Sequence, residues 1–278
     1  MIKGTVLAGV FLISLPAMGQ GVLHVKANEI HTITQDQQHL ALDELVLEAG
    51  ATINFEASVQ NWQVSAQKAI FQQGAFIDGR GSSGENNAGK VTHAASISRC
   101  KTGNDGIAGL PGGNSNNGVN IDMKFGIYAF ESLRIDTSGG QGGSGGDGGK
   151  GGQGGIADDC HGGDGGSGGI GGDGGVGGDG GNVTITYWTL GSSEYIPTSN
   201  YGPGIQIVTL PGNAGFGGEG GLPGEGGRGT FEKRASGKKI YRNEGEPGQT
   251  GSRGKPGTQG KPGQFLIQPA LKPTIHAQ

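Results

Sequence analysis

Gly139-Gly140-Gln141-Gly142-Gly143-Ser144-Gly145-Gly146-Asp147 opens a stretch that continues as Gly-Gly-Xaa to Gly181. It breaks once, at Ile156-Ala157-Asp158-Asp159-Cys160-His161. A period of three predicts a left-handed polyproline-II backbone, with about 3.1 Å rise per residue and no internal hydrogen bonds. Each triplet position then forms its own edge. Two bare glycine edges let neighbouring helices approach closely, so that their N–H and C=O groups pair with one another. The third edge carries Gln141, Ser144, Asp147, Lys150 and Gln153 on one run, and Asp164, Ser167, Ile170, Asp173, Val176 and Asp179 on the next.

Three other readings compete. A flexible Gly/Ser linker suits the composition. Collagen needs longer and more proline-rich runs than these. The calcium-binding nonapeptide repeat needs an Asp and a large apolar residue every nine positions, whereas the period here is three.

Working outward, two more glycine-rich excursions follow the same plan. Ile77-Asp78-Gly79, Ile135-Asp136-Thr137 and Val208-Thr209-Leu210 open the three. Val119-Asn120-Ile121, Val183-Thr184-Ile185 and Phe265-Leu266-Ile267 close them. Residues 79–118, 139–181 and 212–263 therefore form three hairpins and six helices, runs of 17 to 20 residues reaching roughly 50–60 Å at that rise. The third has proline at several third positions (Pro247, Pro256, Pro262) and is collagen-like, which assigns it to the outside and the second hairpin to a more central place.

The mature chain starts with short Val/Ile/Leu/Phe runs in residues 20–78, strand-like in length and partly alternating. Gly50-Ala51-Thr52-Ile53 returns as Gly74-Ala75-Phe76-Ile77, and Leu45 to Leu47 aligns with Ala69 to Phe71. A repeat in the twenties suggests stacked β-coils; a compact barrel is the alternative. Residues 119–138, 182–211 and 264–275 complete this base. The expected fold is mainly β and non-regular: a small β-solenoid or β-barrel base bearing three hairpins of polyglycine-II helices.

Residues 1–19 have the form of a secretory signal peptide, with Lys3, an apolar core from Thr5 to Leu15, and Ala17-Met18-Gly19 as a small-residue cleavage site. That core is too short to span a bilayer, so an exported protein without a transmembrane anchor is expected, in the periplasm, at the cell surface or outside the cell. The net charge of −4, one unit lower without Lys3, argues against nucleic-acid binding. Glycine supplies 64 of 278 residues and aromatics 6%, which leaves no ordinary globular core for this length, only buried backbone and one modest apolar region. The two cysteines, Cys100 and Cys160, fall in the first and second tips; in an exported protein they read as a disulfide stapling those turns.

The helix-into-strand passage Gly171 to Ile185 resembles the N-terminal domain of the Obg GTPases, which implies glycine hairpins on a β-base. No P-loop Gly-Lys motif accompanies it. The plan is also similar to the receptor-binding adhesins at T-even phage tail-fibre tips, which implies a stiff glycine scaffold whose distal turns recognise a surface. Insect antifreeze proteins use similar glycine helices.

The third tip holds Phe231, Lys233, Arg234, Lys238, Lys239, Tyr241 and Arg242. Five basic residues inside an acidic protein attract an anionic polysaccharide or cell-surface component; the plainer reading is a solvated turn. Asp158, Asp159 and His161 offer three oxygen and nitrogen donors, yet such groups more often solvate a turn, and no metal site is assigned. Asp164, Asp173 and Asp179 stand roughly 28 and 19 Å apart on the 3.1 Å rise, too far to share an ion. His24, His31, His39 and His93 have no matching nucleophile and acid. No cofactor and no catalytic motif are expected. The functional expectation is a non-enzymatic surface or periplasmic protein presenting tips for adhesion, with a structural spacer and an ice-binding protein as alternatives.

Overall fold

A computed structural model describes residues 21–94, 98–190 and 204–271; the signal-peptide assignment to residues 1–19 lies outside them. The base is two parallel sheets. One takes β1 (Val22–Val25), β3 (His39–Leu47), β5 (Asn61–Phe71), β7 (Asn120–Phe130), β9 (Val183–Thr189) and β13 (Phe265–Pro269), in that spatial order. The other takes β2 (Ile30–Ile33), β4 (Thr52–Phe55), β6 (Ala75–Asp78), β8 (Leu133–Asp136) and β10 (Ile205–Val208). Each turn of chain lays one strand in each sheet, so sequence neighbours face each other and next-but-one strands pair.

The 24-residue repeat is the register of this stacking: Leu45 pairs Ala69 and Leu47 pairs Phe71 in one sheet, and Thr52 pairs Phe76 in the other. The repeated glycine marks the corner between the sheets. Gly50 and Gly74 have φ of 69° and 77°, a left-handed conformation that costs glycine little. Between the sheets lie Trp62, Phe71, Phe125, Leu47, Ile53, Ile77 and Ile135, all fully buried. Phe71 meets Phe125 edge-on, their ring centres 5.2 Å apart.

The glycine-rich chain forms six extended segments (79–94, 101–119, 139–155, 162–181, 209–229 and 243–264). Their backbone bonds recur every third residue and run between segments. Gly103, Gly106, Gly109 and Gly112 N–H donate to the carbonyls of Asp164, Ser167, Ile170 and Asp173. Gly163, Gly166, Gly169 and Gly172 donate to Gly155, Gly152, Gly149 and Gly146. The first, third and fifth segments run parallel in one row that prolongs β6, β8 and β10. The second, fourth and sixth form a second row leading into β7, β9 and β13. Bonds across the rows are antiparallel. The third and fourth segments, which are the second excursion, each bond to four others.

The expected fold is corrected in one respect. Six polyglycine-II helices are not shown: the molecule is β-rich with parallel sheets, and its only described helical element is the three-residue 3-10 turn Gln35–Gln37. The mainly-β part of the expectation fits in part. A closed barrel does not, because among the described residues both sheets are open and end on edge strands. The period of three identifies positions where a side chain cannot be accommodated. The order of each segment comes from backbone bonds to its neighbours.

Candidate functional site

The chemistry-bearing residues gather at the distal ends of the segments. Cys100 and Cys160 form a disulfide, with Cα atoms 5.9 Å apart, joining the first and second tips. Beside it Arg99 pairs with Asp158 at 2.7 Å. His161 Nδ1 accepts the Asn243 N–H at 3.1 Å, which fixes the second tip to the root of the third. Asp159 lies within 4.8 Å of both sulfurs; those sulfurs are bonded to each other and are not thiolate ligands. The three donors suggested by the sequence are thus mostly engaged in holding the tips together.

The third tip is an antiparallel hairpin of β11 (Thr230–Lys233) and β12 (Lys239–Arg242), two strands where the sequence suggests only a turn. Gly237, with φ of 77°, closes it, and its N–H donates to the Arg234 carbonyl at 2.8 Å. Strand alternation sorts the side chains onto two faces. One face carries the directly paired residues Phe231 and Tyr241, then Lys233 and Lys239. The two rings stand 5.0 Å apart, tilted by 54°, and are 68% and 48% exposed. The other face carries Glu232, Ile240 and Arg242, and Arg242 is joined to Glu232 at 2.7 Å.

Of the seven residues singled out in the sequence, four therefore share one exposed face. Arg234 and Lys238 sit at the turn, where the Arg234 N–H donates to the Lys238 carbonyl at 3.0 Å. Arg242 is half-buried and already neutralised. Lys233 and Lys239 form no ion pair among the described residues. Like charges set directly opposite on a sheet repel.

A second polar array runs along the rows. Side chains of the outward Asp and Asn residues accept outward N–H groups of the adjacent segment. Asp164 accepts from Glu246 at 2.8 Å, Asp173 from Lys255 at 2.7 Å and Asp179 from Lys261 at 2.6 Å. Asn114 and Asn117 do the same for Val176 and Asp179, both at 2.8 Å. The Asp ridge is thus part of the structure's own bonding. Its signal in the sequence is the recurrence of Asp and Asn at the third-edge positions, where an acceptor reaches the N–H of the adjacent segment in the same row.

No family profile and no curated protein matches the chain. A solved structure with some likeness is the nine polyproline type II helical bundle antifreeze protein of the springtail Granisotoma rainieri, on which crystal waters match the ice lattice. It is 22% identical, the alignment covers 67% of this chain and 96% of that one, and the TM-score is 0.10. At that score the likeness carries no argument about this molecule. Nothing found supports a place in the Obg or tail-fibre families.

Proposed function

We propose that the protein is an exported, non-enzymatic recognition module whose β11–β12 hairpin binds an anionic polysaccharide or a similar surface polymer. The carrying observation is the exposed face on which Lys233 and Lys239 oppose each other beside the Phe231–Tyr241 pair. An anionic group between the two ammonium groups would relieve their repulsion. The rings supply flat, rigid contact area of the kind favoured at interfaces. Opposite-face pairing of Arg242 with Glu232 leaves that attraction concentrated on one side.

Two further facts are compatible with export: the Cys100–Cys160 disulfide, a bond that persists in oxidising compartments, and the lack, among the described residues, of any helix long and apolar enough to cross a membrane. The glycine rows serve as the stiff mount.

The test is binding of the purified chain to immobilised polyuronate, sulfated glycan and neutral dextran, measured at low and high salt. Binding to the charged polymers alone is expected, weakening as the Debye length shrinks from about 10 Å at 0.1 M salt to 3 Å at 1 M. A Lys233→Glu, Lys239→Glu variant should lose it, and Phe231→Ala should weaken it at constant salt dependence. Equal binding by the charge-reversed variant, or none by the parent chain at low salt, overturns the reading.

A further inference from the structure

Among the described residues the fifth segment ends its row, and its outward residues follow a second, longer period. Leu210, Phe216 and Leu222 are 62%, 71% and 66% exposed and recur every six residues. Asn213, Glu219 and Glu225 occupy the alternate triplets and are also exposed. The sixth segment runs antiparallel alongside, its register fixed by Gly257 N–H to Gly215 O at 3.0 Å and Gly251 N–H to Gly221 O at 2.9 Å. That register sets Pro256 level with Phe216 and Pro262 level with Leu210. It also sets Arg253 level with Glu219, and these two pair at 3.3 Å.

From this edge we infer a surface for a second copy of the same chain, docked antiparallel about a two-fold axis at Phe216. An isologous interface requires that the surface match itself after rotation. Here rotation sets Phe216 against Phe216, Leu210 against Leu222, and Asn213 against Glu219. Apolar residues meet apolar residues at all three levels. The Glu219–Arg253 pair, neutral as a unit, meets Asn213 and Gln259 of the other copy, so no charge meets a like charge. The pattern is symmetric in sequence because the triplet repeat spaces its side chains evenly. Backbone pairing across this edge is disfavoured, since Pro247, Pro256 and Pro262 on the sixth segment have no N–H to offer. The contact is therefore one of side chains.

Sedimentation equilibrium of the purified chain tests this. A dimer with a dissociation constant below about 100 µM is expected. Phe216→Glu puts two carboxylates on the axis and should weaken association by about 100-fold or more. Leu222→Lys alone should weaken it less. Leu210→Glu combined with Leu222→Lys in one chain should recover it, because each new lysine faces a new glutamate. All three positions changed are on the surface, and unchanged circular dichroism confirms intact folding. A monomer at about 100 µM, open-ended polymers, indifference to Phe216→Glu, or failure of the double variant to recover each overturns the inference. A chain with the β11–β12 hairpin replaced by a short turn should dimerise as before, which keeps this test separate from that of the tip.

Discussion

The base and the glycine rows are the same two layers filled in different ways. Ladder bonds of β6, β8 and β10 continue without a break into the rows: Gly79 N–H to Asp136 O at 2.8 Å, Gly81 to Ser138 at 2.9 Å, and Gly139 to Leu210 at 2.9 Å. In the base, strands bond within each sheet, and the space between the sheets, about 10 Å in packed sheets, is filled by Phe71, Phe125, Ile77 and Ile135. Beyond Thr137 the side chains stop and the two layers bond directly through their backbones. The base is stabilised by apolar burial. The rows are stabilised by saturating backbone donors and acceptors, against the large conformational entropy glycine loses on ordering.

That contrast predicts opposite sensitivities, to loss of side-chain atoms in the base and to their addition in the rows. Phe71→Ala in the base removes a fully buried ring and should destabilise by about 3–5 kcal/mol, through lost burial and a cavity. In the rows the damaging change is addition. A Cβ at Gly172 would stand 2.0 Å from the Leu110 carbonyl oxygen and 2.5 Å from its carbon. Both are backbone atoms with bonds of their own, so Gly172→Ala should cost about 3 kcal/mol, at the upper end for overpacking. Chemical denaturation of both variants measures this; a neutral Gly172→Ala would show that the rows are loosely held.

Removing the disulfide comes next. The bond closes a loop with a sequence separation of 60 residues, and Cys160→Ser should destabilise by about 2–3 kcal/mol. The loss should fall on the rows. Amide exchange should accelerate for Gly155 and Gly163, next to the staple, while Ile53 and Ile135 in the base stay protected. Uniform acceleration would mean that the two regions unfold as one.

How far the sequence reveals each region follows from what holds it. Glycine is irreplaceable where two backbones touch, so the position of each segment and the central place of the second excursion follow from which triplet positions are bare. The base was readable where a corner glycine repeats, as at Gly50 and Gly74. It was not decided between coil and barrel, because alternation in Leu45 to Leu47 is the same in either. The β11–β12 hairpin escaped notice: Phe231, Ile240 and Tyr241 are too few apolar residues to announce two strands, and the pairing of Arg242 with Glu232 is a cross-strand relation that ten residues of separation conceal. The six-helix expectation rested on periodicity, which reports side-chain exclusion and pairing between segments and does not by itself establish a helix.

A smaller effect separates charge from hydrogen bonding in the Asp ridge. Asp173→Ala leaves the outward Lys255 N–H without its side-chain acceptor and should cost about 1 kcal/mol. Asp173→Asn keeps the acceptor oxygen and should be nearly neutral. If both variants lose stability equally, the ridge acts through its charge, and the distinction between a backbone-saturated and a side-chain-packed region weakens.

The smallest expected effect sits at the junction itself. Asp78, the last residue of β6, bonds Arg80 through the side chain at 2.7 Å and the backbone N–H at 3.3 Å. Burial at this site pushes the carboxyl upward, but the Arg80 hydrogen bonds and charge outweigh it and hold the pKa below the ordinary carboxylate value. A depressed folded pKa means the carboxylate favours the folded state above its unfolded pKa of about 4, and that contribution disappears as pH falls through the lower folded value. Thermal melting of the parent chain should therefore lose stability below about pH 4 more steeply than that of Asp78→Asn. Identical pH profiles would place the acid sensitivity elsewhere. A difference that appears in exchange of Gly81 and Gly84, and not of Ile53, would show that this clamp aims the first segment out of the sheet, at the point where side-chain packing gives way to backbone bonding.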